Sequence, residues 1–442
     1  MQDRKITKKL YRVCLLIPVL WLFVPACYTQ KGRDSYSLII SNVYIVPMYA
    51  DTLLTEMDVL ISDGKIKEIR KHRKIQPSKT VRVIDGTGKY LVPALIDCHV
   101  HYSNNESLYA LYDSLYFKYG VAKVLALNGS ERLLTHRKMI NNGSVMGPEI
   151  YCSGPPVNDS LLSEEKAIAL VQRLQDAGYD FVKVYSDLSK EGFDAISREA
   201  PLHKLRIAGH IPQRVTTQGV LHSNQQLVAH AEEFLYNPPV NYMMGDRTVP
   251  EKPDETLIDG IADSVAFYQK TVSPTLVAFR SILQSSLDIT AHTNSVPLLL
   301  SHPIAINWRW SSESSVLPQK FKSPLSRQRL QYAYDYQLKL VRAFHKKGVP
   351  LVAGTDAPTL PGLVPGYSLH QEMQLLQGAG LSNYEALKTA TVNPALFLQI
   401  ADRCGTISAG KEASFLLLDK NPLIDIRHTL SIHMVIIKGQ PR

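Results

Sequence analysis

Eight short apolar segments, each with the pattern of a buried β-strand, recur along the middle of the chain. They span residues 94–101, 120–127, 149–154, 180–186, 205–210, 226–231, 271–278 and 350–356. Amphipathic helical patterns join most of them, as in 163–178 and 329–348. Strands that alternate with helices form parallel sheets, and eight such repeats favour a closed barrel over an open sheet. The sequence therefore predicts an α/β protein with a (β/α)8 TIM barrel over residues 93–395.

Short strand patterns with glycine turns flank these repeats on both sides. Asp63-Gly64 separates two alternating segments and is typical of a hairpin turn. We predict that residues 28–92 form an antiparallel β unit, and that they combine with residues 396–442 in one small β-sandwich beside the barrel. The connection between the seventh and eighth strands, residues 279–328, is long enough to predict a functional insertion.

The first 27 residues have the composition of an export signal. Basic residues up to Arg12 precede an apolar run from Val13 to Val24, which is too short to span a bilayer easily. The following Val24-Pro25-Ala26-Cys27 resembles the lipobox of bacterial lipoproteins, apart from Pro25. We predict a lipoprotein signal peptide over residues 1–27, an acylated Cys27, and export to the bacterial periplasm or cell envelope. A plain secretion signal and an uncleaved anchor remain alternatives.

The charge of the chain argues against a nucleic-acid partner. Lys and Arg number 49 against 40 Asp and Glu, a net charge of +9, of which residues 1–27 contribute +4. No basic stripe with interleaved aromatic residues occurs. We therefore expect a small-molecule ligand, with membrane contact only through a lipid on Cys27.

Two histidines end the first predicted strand, in the sequence Asp97-Cys98-His99-Val100-His101. Residues i and i+2 of a strand point to the same face, so both imidazoles would meet at one point inside the barrel. Alone, this pair fits a metal site and hydrogen-bonded histidines equally well.

Three more polar residues occupy the ends of other predicted strands, namely His210, His230 and Asp356. Barrel enzymes hold their active sites at these carboxyl ends. A buried structural histidine or a helix-capping aspartate explains any one of them, but their joint placement favours a divalent metal site.

Lys183 lies in the middle of the predicted fourth strand, between Val182 and Val184. A charged lysine is costly to bury there. Its ammonium group can reach the strand end or pair with a carboxylate. Alternatively, a neutral Lys183 reacts with carbon dioxide, and the resulting carbamate bridges two metals.

These segments together resemble the amidohydrolase superfamily, and more narrowly its imidazolonepropionase-like and Xaa-Pro dipeptidase-like members. The likeness rests on ALIDCHVH, VKVYS, IAGH, VAHAEE and AGTDAP, and on the segment after Gly366; it covers residues 36–442. One departure is Ile211-Pro212 after His210, where the family usually has an alanine-containing run.

The resemblance implies a binuclear metal centre. His99 and His101 would hold the first metal, His210 and His230 the second, and carboxylated Lys183 would bridge the two. Asp356 would contact the first metal and act as the catalytic proton shuttle. We expect two zinc ions, with manganese, cobalt and iron as alternatives because histidine and carboxylate ligands suit all four.

Such a centre predicts a hydrolase in which a metal-activated hydroxide cleaves a C–N bond in an amide, cyclic amide or dipeptide-like substrate. A lactone, ester or phosphoester hydrolase is one alternative, and a non-catalytic surface binding protein is another. Substrate contacts are predicted for Tyr185, Tyr151 and Arg309, the last in a loop with Trp308 and Trp310 that we expect to form a lid.

Overall fold

A computed structural model describes residues 36–74, 81–242, 251–296 and 317–442. The predicted signal over residues 1–27, the acylation site Cys27 and the lid residues Trp308, Arg309 and Trp310 lie outside the described residues. No helix within the described ranges is both long and apolar enough to cross a membrane.

One mixed sheet of eight strands contains residues from both ends of the described chain. Its path is β15-β14-β13-β5-β1-β2-β3, with β4 paired to β1. The strands are β1 Leu38–Ile45, β2 Leu54–Ser62, β3 Lys65–Lys71, β4 Arg82–Asp85, β5 Tyr90–Pro93, β13 Phe415–Leu418, β14 Ile432–Ile437 and β15 Gln440–Pro441. The hairpin at Asp63-Gly64 forms as expected, since both residues have positive φ. The unit is not antiparallel throughout, because β1 pairs in parallel with β4 and β5.

Seven strands of the repeat region form two parallel sheets, β6-β7-β8 and β9-β10-β11-β12. They are β6 Leu95–Val100, β7 Val121–Ala126, β8 Glu149–Cys152, β9 Phe181–Val184, β10 Arg206–Gly209, β11 Gln225–Ala229 and β12 Thr271–Ser273. Single parallel bridges join Ser153 to Phe181 and Val157 to Val184, between the two sheets. The predicted α/β class with parallel strands is confirmed.

The seventh predicted strand is shorter than the sequence pattern indicates. β12 ends at Ser273 because Pro274 has no N–H to continue the ladder. Thr275 has φ of 49°, and helix α8, Leu276–Asn294, begins at the next residue. The buried Glu372 carboxylate accepts the first N–H groups of that helix, from Leu276 and Val277. Much of the predicted insertion is therefore helical.

The eighth segment forms single bridges instead of a continuous strand. Leu351 pairs with Val272, and Ala357 pairs with Val100. Between them, the N–H of Ala353 donates to Thr389 O, outside the strands. The segment lies where the eighth strand was predicted, between β12 and β6.

Helices cover the outside of the parallel strands, and their apolar faces share a core with Val124, Val182, Ile207 and Val228. The predicted helices over 163–178 and 329–348 are confirmed, although the second begins earlier because Ser323 caps it and Pro324 fits its first turn. Besides α8, the α-helices of the described residues are α1 Tyr109–Lys118, α2 Glu131–Asn141, α3 Glu164–Ala177, α4 Lys190–Leu202, α5 Thr216–Leu221, α6 Glu233–Tyr236, α7 Ile258–Phe267, α9 Leu317–Lys320, α10 Pro324–Lys346, α11 Tyr367–Gly378, α12 Asn383–Thr389 and α13 Val392–Phe397.

Candidate metal centre

His99, His101 and Asp356 bring three ligand atoms to one point. His99 Nε2 lies 3.2 Å from His101 Nε2 and 3.3 Å from Asp356 Oδ1, and His101 Nε2 lies 2.8 Å from the same oxygen. Within the described residues, these three form the group of potential ligands whose donor atoms all lie within 4.8 Å of one another. Metal bonds of about 2.0–2.1 Å in a tetrahedron place neighbouring ligand atoms about 3.3–3.4 Å apart, close to the two separations from His99. The 2.8 Å between His101 and Asp356 is a hydrogen-bond distance.

The other two histidines lie against this group. The ring centre of His230 is 4.7 Å from that of His99 and 4.8 Å from that of His210. All four imidazoles thus gather at the carboxyl ends of β6, β10 and β11. The convergence that the sequence predicts is present in the structure.

A neighbour binds the Nδ1 atom of each of these two histidines. His210 Nδ1 lies 2.6 Å from Glu233 Oε1, and His230 Nδ1 lies 2.7 Å from Thr275 Oγ1. Because Thr275 donates its own proton to Pro274 O, its hydroxyl must accept from His230. The proton of His230 is therefore on Nδ1, which leaves the lone pair of Nε2 available to a metal.

Burial favours the neutral form of three of these imidazoles, those of His99, His210 and His230. Burial, reinforced by the charge of Lys183, holds the pKa of both His99 and His210 well below the ordinary imidazole value. Burial and His210 lower the pKa of His230 to about 3. Neutral imidazole is the form that binds metal, so these three histidines are in the ligand state at neutral pH.

Two site residues adopt a backbone conformation that non-glycine residues rarely adopt. His230 has φ of 71° and Asp356 has φ of 61°. Backbone hydrogen bonds hold both, from His230 N to Ser273 O at 2.8 Å and from Asp356 N to His99 O at 2.7 Å. Such strain persists only where surrounding contacts fix it, and it is concentrated at functional sites.

The charge of Asp356 is stabilised by its neighbours. Although burial raises its pKa, the charge and the hydrogen bond of His101 hold it well below the ordinary carboxyl value. The second carboxylate oxygen, Oδ2, lies 2.7 Å from Thr359 Oγ1. Asp356 is therefore an ionised carboxylate with one oxygen directed to the histidines.

Lys183 is buried, and its Nζ has no hydrogen-bond partner among the described residues. Burial lowers the pKa of Lys183 to about 8, against the raising effect of Asp356 and Glu233. A buried amine without a partner is costly, and a lowered pKa increases the neutral, nucleophilic fraction. The environment of Lys183 thus fits a lysine that becomes carboxylated.

The three residues predicted to contact the substrate differ in where they lie relative to the candidate metal centre. Tyr185 is 38% exposed and its ring centre lies 4.0 Å from that of His210, beside the centre. Tyr151 is not brought to the centre, because its hydroxyl donates to Glu149 and accepts from Arg403. Arg309 lies outside the described residues.

Sequence reasoning missed the residues that support the ligands. Glu233 and Thr275 bind ligand histidines, and Asp97 accepts the backbone N–H of His99 at 3.2 Å. The motifs DCHVH and VAHAEE contain Asp97 and Glu233, and a carboxylate beside a ligand histidine is a recognisable signal. Thr275 gives no comparable signal, since it reaches His230 from the turn after β12.

Comparisons with known proteins agree with this geometry. Residues 335–442 match the sequence model of the Amidohydrolase family. A guanine deaminase from Escherichia coli is 24% identical over 411 residues, which cover 85% of this chain and 84% of the relative. An imidazolonepropionase from Colwellia psychrerythraea is 21% identical over 84% of this chain and 85% of its own. The chain is therefore similar to amidohydrolases over most of its length.

A solved structure shares the fold of this chain. A Xaa-Pro dipeptidase with bound methionine in its active site superposes with a TM-score of 0.70 and 17% identity, over 92% of this chain and 99% of that one. The resemblance drawn from the sequence is confirmed. The family match and the relatives, a deaminase and an imidazolonepropionase, identify the chain as an enzyme, which sets aside a non-catalytic binding protein.

We expect a Thr275→Val substitution to weaken zinc binding about 10- to 100-fold, because it removes the hydroxyl that orients His230. Competition with a chromophoric chelator measures the affinity. Thr429→Val is the matched control, since Thr429 Oγ1 lies 2.8 Å from His370 Nδ1 and donates to Ile426 O in a buried pair elsewhere. Equal affinities for the two variants would contradict the assigned role of Thr275.

Proposed function

We propose that the protein is a metal-dependent hydrolase that cleaves a C–N bond in an amide, cyclic amide or dipeptide-like substrate. The observation that carries the proposal is the meeting of His99 Nε2, His101 Nε2 and Asp356 Oδ1 within 4.8 Å of one another. The relatives named above are a deaminase, an imidazolonepropionase and a dipeptidase, whose reactions hydrolyse C–N bonds. They support the bond class but not a particular substrate.

The donor set fits a divalent metal pair. His99, His101 and Asp356 would hold one ion, His210 and His230 the other, and Lys183 as a carbamate would contact both. The neutral imidazoles and the partnerless Nζ of Lys183 support this division. When bound, divalent zinc, manganese, cobalt or iron supplies Lewis acidity and lowers the pKa of a water ligand.

The protein's own residues would then move the proton. Asp356 is ionised, and Thr359 and His101 hold its carboxylate on both sides. A carboxylate at this position can accept a proton from the attacking water at Oδ1 and deliver it to the leaving nitrogen. Tyr185, partly exposed over His210, is placed to contact the substrate near these groups.

We also propose the finer features of the fold. The single bridges between β8 and β9, and from Val272 and Val100 to the eighth segment, support a closed (β/α)8 barrel over residues 93–395. Pairing of β5 with β13 supports an accessory β domain, a small sandwich assembled from residues 28–92 and 396–442.

Replacement of Lys183 by Ala should lower the metal content of the protein. We expect near two zinc ions per chain in the parent grown with zinc and bicarbonate, and fewer in Lys183→Ala, because the bridging group is lost. Plasma mass spectrometry gives the ratio. Lys270→Ala is the control, since Lys270 is also buried with a pKa lowered to about 8 but donates to Ser223 O. One metal in both parent and Lys183→Ala would make Lys183 structural.

Replacement of Asp356 by Asn should abolish proton transfer. We expect turnover to fall about 10²- to 10⁴-fold in a screen of amides, cyclic amides, dipeptides and lactones. Circular dichroism checks that the variant folds. Asp58→Asn removes a buried carboxylate of the β sheet and should keep full turnover. A rate unchanged in Asp356→Asn would exclude the shuttle role.

We further propose that the chain is exported and acylated at Cys27, from the pattern at residues 24–27. In a bacterial host, the full chain should enter the detergent phase on phase separation with Triton X-114. The Cys27→Ser variant should stay in the aqueous phase because it has no thiol to acylate. Identical partitioning of both proteins in the aqueous phase would refute acylation.

A further inference from the structure

The segment that carries Asp356 is joined to β6 by backbone hydrogen bonds, from Cys98 N to Ala353 O and from His101 N to Ala357 O. Single bridges fix it at Leu351 and at Ala357, and no continuous strand lies between them. Asp356 itself has a positive φ. Backbone contacts hold the chain at this strained residue, and side-chain contacts add to them in placing its carboxylate relative to the histidines of β6.

Asp97 supplies such contacts from within β6. Its Oδ1 accepts the backbone N–H of His99 and the backbone N–H of Thr355, both at 3.2 Å. Its Oδ2 accepts the hydroxyl of Thr355 at 2.8 Å. The fully buried carboxylate of Asp97 thus binds the backbone at His99, one proposed metal ligand, and at Thr355, which directly precedes Asp356, another.

The two segments approach closely around this carboxylate. A Cβ atom on Gly354 would lie 2.6 Å from His99 Cβ and 2.3 Å from Ser273 Oγ, so only glycine fits there. Thr355 N and Asp356 N both donate to His99 O, at 3.1 and 2.7 Å. The absence of a side chain at Gly354 lets Asp97 reach across to Thr355.

We propose that Asp97 is a positioning residue that sets the separation between the ligand atoms of His99 and Asp356, an inference that rests on the proposed metal-dependent function. Its carboxylate accepts three hydrogen bonds, two of them from the segment that carries Asp356. Asp97 touches no reacting atom and acts through the two ligands.

The hydroxyl of Thr355 makes Asp97→Asn a sharp test. Thr355 Oγ1 already accepts the N–H of Ala357 at 3.2 Å and donates to Asp97. An amide NH2 at position 97 would present a second donor to that oxygen and remove the acceptor of its proton. Thr355→Val removes the same hydrogen bond from the other side, and Thr355→Ser retains the hydroxyl.

We expect Asp97→Asn and Thr355→Val each to weaken zinc binding 10- to 100-fold in chelator competition, and the double variant to lose no more than the stronger single variant. Thr355→Ser should bind within twofold of the parent. In the metal-free proteins, hydrogen exchange followed by mass spectrometry should be faster over residues 351–359 in both weakened variants. Neither readout requires turnover.

Asp58→Asn is the matched control. Asp58 is also a fully buried carboxylate that accepts two backbone N–H groups, from Asn42 and Arg73, both at 3.1 Å. Its replacement should leave zinc affinity and exchange over 351–359 unchanged. If Asp97→Asn does not fold, Thr355→Val decides the outcome.

The outcomes separate the inference from the proposed function. If the parent binds zinc and the Asp97→Asn and Thr355→Val variants bind it with the same affinity as the parent, the positioning role alone is refuted. Equal losses of zinc affinity in Asp97→Asn and Asp58→Asn would also overturn the positioning role, because replacing any buried carboxylate would then have the same effect. A parent that binds no zinc would refute the proposed function.

Discussion

The parallel order of β6 to β12 is the constraint on which the candidate site depends. Parallel strands bring their carboxyl ends to one edge, so residues far apart in the chain meet there. His99, His210 and His230 come from the ends of three strands. The ring of His230 lies against the rings of both His99 and His210. Polar rings gathered in this way would be expensive to bury without partners. Glu233, Thr275 and a divalent metal are the partners that the arrangement accommodates.

The sequence predicted which histidines lie close together but not the residues that bind them, and the difference has a physical cause. Periodicity places His99 and His101 on one face of a strand, and the end of a barrel strand is a defined place in the fold. The bond between Thr275 and His230 instead depends on a turn after β12 that begins with Pro274. Such a turn is set by tertiary packing, which a single sequence does not reveal.

The extent of the seventh and eighth strands could not be predicted for a related reason. Apolar runs such as 271–278 fit a strand and the first turn of a buried helix equally well. In the structure, the buried Glu372 carboxylate binds the N–H groups of Leu276 and Val277 and selects the helix. The position of Tyr151 could not be predicted either, since its hydroxyl is bound by Arg403, which is 252 residues away in sequence.

Lys183 connects the electrostatics of the centre with its proposed chemistry. As an ammonium ion it disfavours protonation of His99 and His210, and both are already disfavoured by burial. A cation at this position would also repel a metal held by those histidines. Conversion to a carbamate replaces that positive charge with a negative one and supplies oxygen atoms as ligands. The buried Nζ would then have the partner that it otherwise lacks, and the metals would balance the negative charge that burial alone disfavours.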